Sequence, residues 1–139
     1  MRVVLDTGIL IAALITAGTS PDRIYQAWRK KRFLLISSRW QLDEFRRASR
    51  YEKLKRFIKP TEAGNLISGL KREALILEKL PEVDLSKDPA DNPVLAMALA
   101  GNADYLVSGD RRGLLVLKKI GSTRIVTAQE FLKVLQRRR

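Results

Sequence analysis

The chain has 139 residues, with 27 Lys plus Arg against 15 Asp plus Glu and neither Cys nor His. A chain of this length buries roughly two-thirds of its unfolded surface, so one domain spanning residues 1–139 is expected, with no need of disulfides or structural zinc. The missing residue types exclude thiol nucleophiles, iron–sulfur clusters, zinc fingers, Ser-His-Asp triads and histidine general bases. Any metal must be held by oxygen, which suits hard cations such as Mg²⁺ or Mn²⁺ and leaves clustered Asp and Glu as the main catalytic apparatus.

In chain order, residues 3–5 (VVL) form a first apolar run that ends on Asp6. This carboxylate interrupts the run too early for a signal peptide. The longest strictly apolar stretch, residues 9–15, is far shorter than the ~20 residues of a membrane-spanning helix. The chain is therefore expected to be soluble and cytoplasmic, with no membrane partner. Further branched apolar runs follow at 33–36, 105–107 and 124–126, separated by segments of helical periodicity. Continuous rather than alternating apolar strands indicate a parallel sheet covered on both faces, so the fold class is α/β: a three-layer α/β/α sandwich around a central, mainly parallel sheet.

The helix signals between the strands are specific. Ser20-Pro21 offers a cap and a first-turn proline before Ile24, Ala27 and Trp28; Ser38 can cap a helix carrying Trp40, Leu42 and Phe45. Thr127 with Glu130 makes a capping box before Phe131, Leu132 and Leu135. Residues 61–80 read as one helix with Leu66, Leu70, Leu77 and Leu80 on its apolar side, and 80–91, with two prolines and several carboxylates, as a loop. The closing Arg137, Arg138 and Arg139 read as a helix end placed against the helix dipole.

The formal net charge of +12 calls for a polyanionic partner, nucleic acid in the first place. Its placement is uneven: residues 29–59 hold twelve basic residues against Asp43, Glu44 and Glu52. Such a density of like charge favours a phosphate ligand over merely solvated helix faces. Arg46, Arg47 and Arg50 are candidates to contact the nucleic acid. Trp28, Trp40 and Tyr51 lie among these cations, but the spacing of the two tryptophans suits core packing better than base stacking.

Asp6 follows an apolar strand directly and Asp110 follows another at YLVSGD, which places both at the carboxyl edge of a parallel sheet, where ligands bind. Asp6 can equally cap the helix that begins near Gly8, and Asp110 can be an ordinary turn residue beside Gly109. Asp91 opens the helix NPVLAMALA and can serve as its cap or as a ligand at the same edge; Asp88, three residues upstream, is its rival. Glu44 and Asp43 are both bracketed by Leu42 and Phe45, so periodicity does not choose between them. Ser108 and Thr7 are hydroxyls suited to orienting a carboxylate or a water, and also ordinary at strand ends.

The fragments DTGILIAAL, SRWQLDEF and DNPVLAMALAGNADYLVSGD, in this order, resemble the PIN ribonuclease family, in particular the small stand-alone prokaryotic members grouped with the toxins of toxin–antitoxin pairs. The resemblance implies a PIN-like, Rossmann-related fold. It maps the family's four acids onto Asp6, Glu44, Asp91 and Asp110, so it selects Glu44 over Asp43, and it makes Ser108 the hydroxyl of the acidic turn. The chain departs from the family pattern in having Gly8 where asparagine is common, and Arg111, Arg112 and Gly113 where many members carry a further acid.

Taken together, the carboxylates and the resemblance imply Mg²⁺ or Mn²⁺ held by Asp6, Asp91 and Asp110, with Glu44 as an outer ligand or orienting the attacking water and Arg111 and Arg112 on the scissile phosphate. RNA, single-stranded or structured, is the implied substrate, and an antitoxin protein and a second copy of the chain are the implied partners. Two other readings stay open: a catalytically silent RNA-binding protein of the same fold, and a Mg²⁺-binding receiver-like signalling domain. The receiver-like reading lacks paired acids after the first strand and a strand-end lysine.

Overall fold

The structure is a computed structural model that describes residues 1–138. Strand β1 (Arg2–Leu5) lies at the centre, paired in parallel with β2 (Leu34–Ser38) on one side and with β4 (Tyr105–Val107) on the other. Beyond β2 lies β3 (Leu75–Leu77), and beyond β4 lie β6 (Thr123–Val126) and β5 (Lys119–Ile120), giving the order β3-β2-β1-β4-β6-β5. All pairings are parallel except β5–β6. The fold class is thus the α/β sandwich that the apolar runs predict.

Both faces of the sheet are covered, which is why the central strands are apolar without a break. Val3, Leu5, Leu35 and Val107 point to one side, into a cluster built with α1 (Thr7–Ile15), α2 (Ser20–Arg29), α3 (Arg39–Ser49), α4 (Pro60–Glu73) and α7 (Ala128–Arg137). Val4, Ile36, Leu106 and Ile125 point to the other, against α5 (Asn92–Ala100) and the short α6 (Leu114–Leu117). Trp28 is buried in the first cluster and Trp40 packs against the second, whereas Tyr51 is exposed. No helix among the described residues is long and apolar enough to cross a membrane.

The caps fall close to their sequence signals. Ser38 Oγ accepts the Gln41 N–H at 3.0 Å, and Thr127 and Glu130 form the reciprocal box that starts α7. The cap of α2 is Thr19, one residue before Ser20. Helix α7 ends at Arg137; of the three terminal arginines, Arg139 lies outside the described residues.

Residues 61–80 are not one helix. Helix α4 stops at Glu73, Ala74 turns extended, and Leu75–Leu77 pairs with β2 as an edge strand. The four leucines that mimic a helical stripe divide between opposite faces of the sheet: Leu66 and Leu70 enter the first cluster, Leu77 and Leu80 pack on the second. The open edge of β2 satisfies the backbone of the Leu-Ile-Leu run, and that pairing overrides its helical spacing. Strand β5 carries too few residues to leave a pattern. It joins β6 through the tight turn at Gly121, whose φ of 57° favours glycine.

Candidate active site

The strand order reverses between β1 and β4, the topological switch point at which open α/β sheets place their ligands beyond the carboxyl ends of the strands. Asp6 follows β1 at this point, and its N–H donates to Val107 O at 3.0 Å, tying it to the end of β4. Its Oδ1 accepts the Ile9 N–H at 2.9 Å, and its Oδ2 accepts a short hydrogen bond from Ser108 Oγ. Ser108 Oγ in turn accepts the Asp110 N–H at 3.0 Å, so one buried hydroxyl links the two aspartates. Asp110 accepts the Gly113 N–H on Oδ1 at 3.0 Å and the Leu114 N–H on Oδ2 at 3.4 Å. Asp6 and Asp110 therefore cap and shape local turns while also facing the switch point.

Asp91 differs. It ends a short 3-10 turn, Pro89–Asp91, and makes no capping bond to α5 with its side chain. Its Oδ2 instead accepts from Ser86 Oγ at 3.0 Å. The capping work in this loop falls to Asp88, whose Oδ1 accepts the Ala90 N–H at 3.0 Å. Asp91 and Asp110 meet across Gly113: a Cβ on this glycine would overlap Asp110 Oδ2 and lie 2.7 Å from Asp91 Oδ2. A residue of any larger size would part the two carboxylates.

Burial raises the pKa of Asp6 above the ordinary carboxyl value; the Ser108 hydroxyl and Ile9 N–H oppose the rise, and the charges of Asp110 and Asp91 add to it. Asp91 is raised in the same way, first by burial, against the Ser86 hydrogen bond and with help from Asp110 and Asp88. The three aspartates are thus electrostatically coupled.

Glu44 stands apart from them. Its side chain, 30% exposed against 65% for Asp43, is the more inward of the two, and its Oε2 accepts from Arg47 Nη2 at 2.8 Å. It makes no hydrogen bond to the aspartates. Among the described residues no three His, Cys, Asp or Glu side chains stand where they could together hold a metal ion. The donor set nevertheless fits a hard cation, because every donor is oxygen, two carboxylates face each other and a third is one hydroxyl away.

The acidic edge borders two cavities, each with one arginine in its wall. One of about 550 Å³ holds Asp6, Ser108 and Asp110 with Arg111; another of about 330 Å³ holds Asp88, Asp91 and Asp110 with Arg112. Arg46, Arg47 and Arg50 line neither. Arg46 pairs with Asp43 and Arg47 with Glu44, and Arg46 and Arg50 border a separate basic cavity.

Several contributors escape sequence reasoning. Ser86 and Gly113 act through contacts that loop sequence does not encode, although Gly113 closes the run GDRRG. Gln41 is buried, accepts from Ser37 Oγ at 2.6 Å and donates from Nε2 to Leu5 O at 2.7 Å, so α3 is pinned to the residue before Asp6. Its position one turn before Glu44 was the available signal. Thr7 Oγ1 is buried with no partner among the described residues, beside Asp6.

The molecule is a doubly wound α/β sheet with three aspartates beside its switch point. The sequence model of the PIN domain family matches residues 2–112, a span that includes Asp6, Glu44, Asp91 and Asp110. The chain belongs to the PIN domain family, whose members are generally nucleases that use divalent metals. A comparison with curated proteins finds no match.

Proposed function

We propose that this chain is a metal-dependent endoribonuclease in which Asp6, Asp91 and Asp110 hold Mg²⁺ or Mn²⁺. The observation that carries the reading is the linkage of Asp6 to Asp110 through Ser108, with Asp91 facing Asp110 across Gly113, at the switch point of the sheet. When bound, the ion supplies the positive centre that polarises a phosphodiester and acidifies a water. Ser108 orients Asp6, and Ser86 orients Asp91. Glu44, on leaving Arg47, orients the attacking water and accepts its proton. Arg111 and Arg112, one in each cavity beside the acids, bind the non-bridging oxygens of the scissile phosphate. Arg46, Arg47 and Arg50 follow the RNA backbone along α3.

The resemblance to stand-alone members supports a role as the toxin of a toxin–antitoxin pair, with an antitoxin protein and a second copy of the chain as partners. Growth arrest on expression, relieved by co-expression of a neighbouring small reading frame, tests that setting. The chemistry is tested by Asp6→Asn and Asp110→Asn. Cleavage of single-stranded RNA with Mn²⁺ should disappear in both while RNA binding in EDTA survives. Full cleavage by either variant refutes the ligand assignment. A second reading, a catalytically silent RNA-binding protein, is favoured by the pairing of Glu44 with Arg47 and by the incomplete three-ligand geometry; it predicts binding without metal-dependent cleavage by the parent protein.

A further inference from the structure

A second cavity, of about 570 Å³, opens between the end of α3, the connection after it and α4, and none of the three aspartates lines it. Four cations border it: Arg46 from α3, Arg50 capping the end of that helix, Lys55 from the connection and Lys71 from the last turn of α4. No Asp or Glu lines it. Arg46 and Lys55 are each held by an exposed partner three residues earlier, at 3.4 and 3.2 Å, but Arg50 and Lys71 make no salt bridge among the described residues. The rest of the wall includes the apolar side chains of Ile58, Ala63 and Ile67. The unpaired charges of Arg50 and Lys71, beside the partly compensated Arg46 and Lys55 and an apolar wall, suit one nucleotide unit, whose phosphate oxygens meet the cations and whose base meets the apolar side chains.

We propose that this cavity is a subsite for one nucleotide of a single-stranded RNA, removed from the point of cleavage. The proposal rests on the nuclease reading for the identity of the strand, but the cavity binds through residues that play no part in the acidic site. Arg46 and Arg50 lie at the end of α3 beyond Glu44, so a strand that follows the cations of α3 reaches the basic cavity. The cavity then fixes which bond reaches the aspartates by gripping the chain at a set distance from it.

Gly64 gives a test that leaves every charge in place. It borders the cavity within α4, and a Cβ built on it meets nothing within 4 Å. Gly64→Leu should fill the space and also remove a helix-interior glycine, so it should raise the melting temperature while weakening RNA binding. Fluorescence anisotropy with an end-labelled single-stranded RNA in EDTA, over a series of salt concentrations, reads the affinity independently of cleavage. The double variant Arg50→Gln/Lys71→Gln should lower the slope of log K against log salt by about 1.4, at roughly 0.7 per lost phosphate contact. RNA with and without a 5′-phosphate separates a strand-end site from an internal one. Loss of the variants' effect when the 5′-phosphate is removed assigns the cavity to a terminal phosphate and overturns the internal-subsite proposal. Parental affinity and slope in both variants overturn it as well, as does displacement by polyglutamate but not by RNA. If the variants weaken binding but the parent protein never cleaves, the subsite stands and the nuclease reading falls; if cleavage persists and binding is unmoved, the reverse holds.

Discussion

Replacing Gly113 with alanine adds one methyl group between the carboxylates of Asp91 and Asp110. The new Cβ would overlap Asp110 Oδ2 and stand 2.7 Å from Asp91 Oδ2, so at least one carboxylate must move, and the Gly113 N–H bond to Asp110 Oδ1 moves with it. Overpacking of this kind costs about 1–3 kcal/mol. With an unfolding entropy of about 2 cal/mol/K per residue, a chain of 139 residues loses about 3 °C per kcal/mol, so the metal-free variant should melt about 3–10 °C below the parent. The larger consequence is for cation binding. A ligand bound only by the native state at a hundredfold excess over Kd stabilises by about 2.7 kcal/mol, or about 9 °C here. Gly113→Ala should lose more than half of that gain, because the added methyl group pushes the two carboxylates apart. Differential scanning fluorimetry in EDTA and across a Mn²⁺ titration measures both quantities. A variant that melts with the parent and keeps the whole Mn²⁺ response refutes the claim that Gly113 gathers the carboxylates.

Asp91→Asn should lose most of the Mn²⁺-dependent rise in melting temperature, whereas Asp88→Asn should keep it, because the Asp88 carboxylate is engaged as a turn cap; the opposite outcome exchanges their roles. Gln41→Leu strands the buried Leu5 carbonyl and Ser37 hydroxyl, and should cost about 1–3 kcal/mol in urea unfolding; a change under about 0.5 kcal/mol would mean that water replaces the amide. The Thr127 N–H, and then its hydroxyl, hold the Glu130 carboxyl below its ordinary pKa, so its contribution to stability is present above the unfolded value and is lost as pH falls through the folded one. Glu130→Gln keeps a capping side chain but not the titration, and should flatten the fall in melting temperature from about pH 5 to pH 3 relative to the parent; an unchanged slope there removes Glu130 from the acid response.

How much of this architecture is legible in the sequence depends on whether the signal is local. Strands β1, β4 and β6 carry runs that are apolar because both faces of the sheet are covered, and their positions follow from composition alone. The caps at Ser38 and Thr127 are equally local, since each depends on a side chain and a backbone group three residues away. The end of α4 is not local: Leu75–Leu77 is a strand because β2 offers it an edge, and nothing within the segment reports that edge. The same division runs through the site. Asp6 and Asp110 are legible because an acid just after an apolar strand, or in the short turn that leaves it, emerges at the sheet edge. Ser86 and Gly113 are not, since their roles depend on how the loop before α5 folds over the turn after β4. Glu44 is separated from Asp43 by burial, which helical periodicity at this position does not resolve.

The distribution of charge in the folded chain bears on what the acidic edge is for. The chain carries a net +12, yet among the described residues no salt bridge reaches Asp6, Asp91 or Asp110. Their partners are neutral: hydroxyls of Ser108 and Ser86 and backbone N–H groups of Ile9, Gly113 and Leu114. Neutral donors fix the direction of a carboxylate while leaving most of its charge uncompensated, and burial makes that charge unfavourable, which pushes the carboxyls of Asp6 and Asp91 above the ordinary range. A structural ion-pair network would have drawn in some of the 27 basic side chains to relieve the strain. Here the arginines stand at the cavity walls instead, where they can meet a phosphate without neutralising the acids. Oriented but unneutralised carboxylates beside uncommitted arginines are what a site needs if it is to take up a cation and a phosphodiester together.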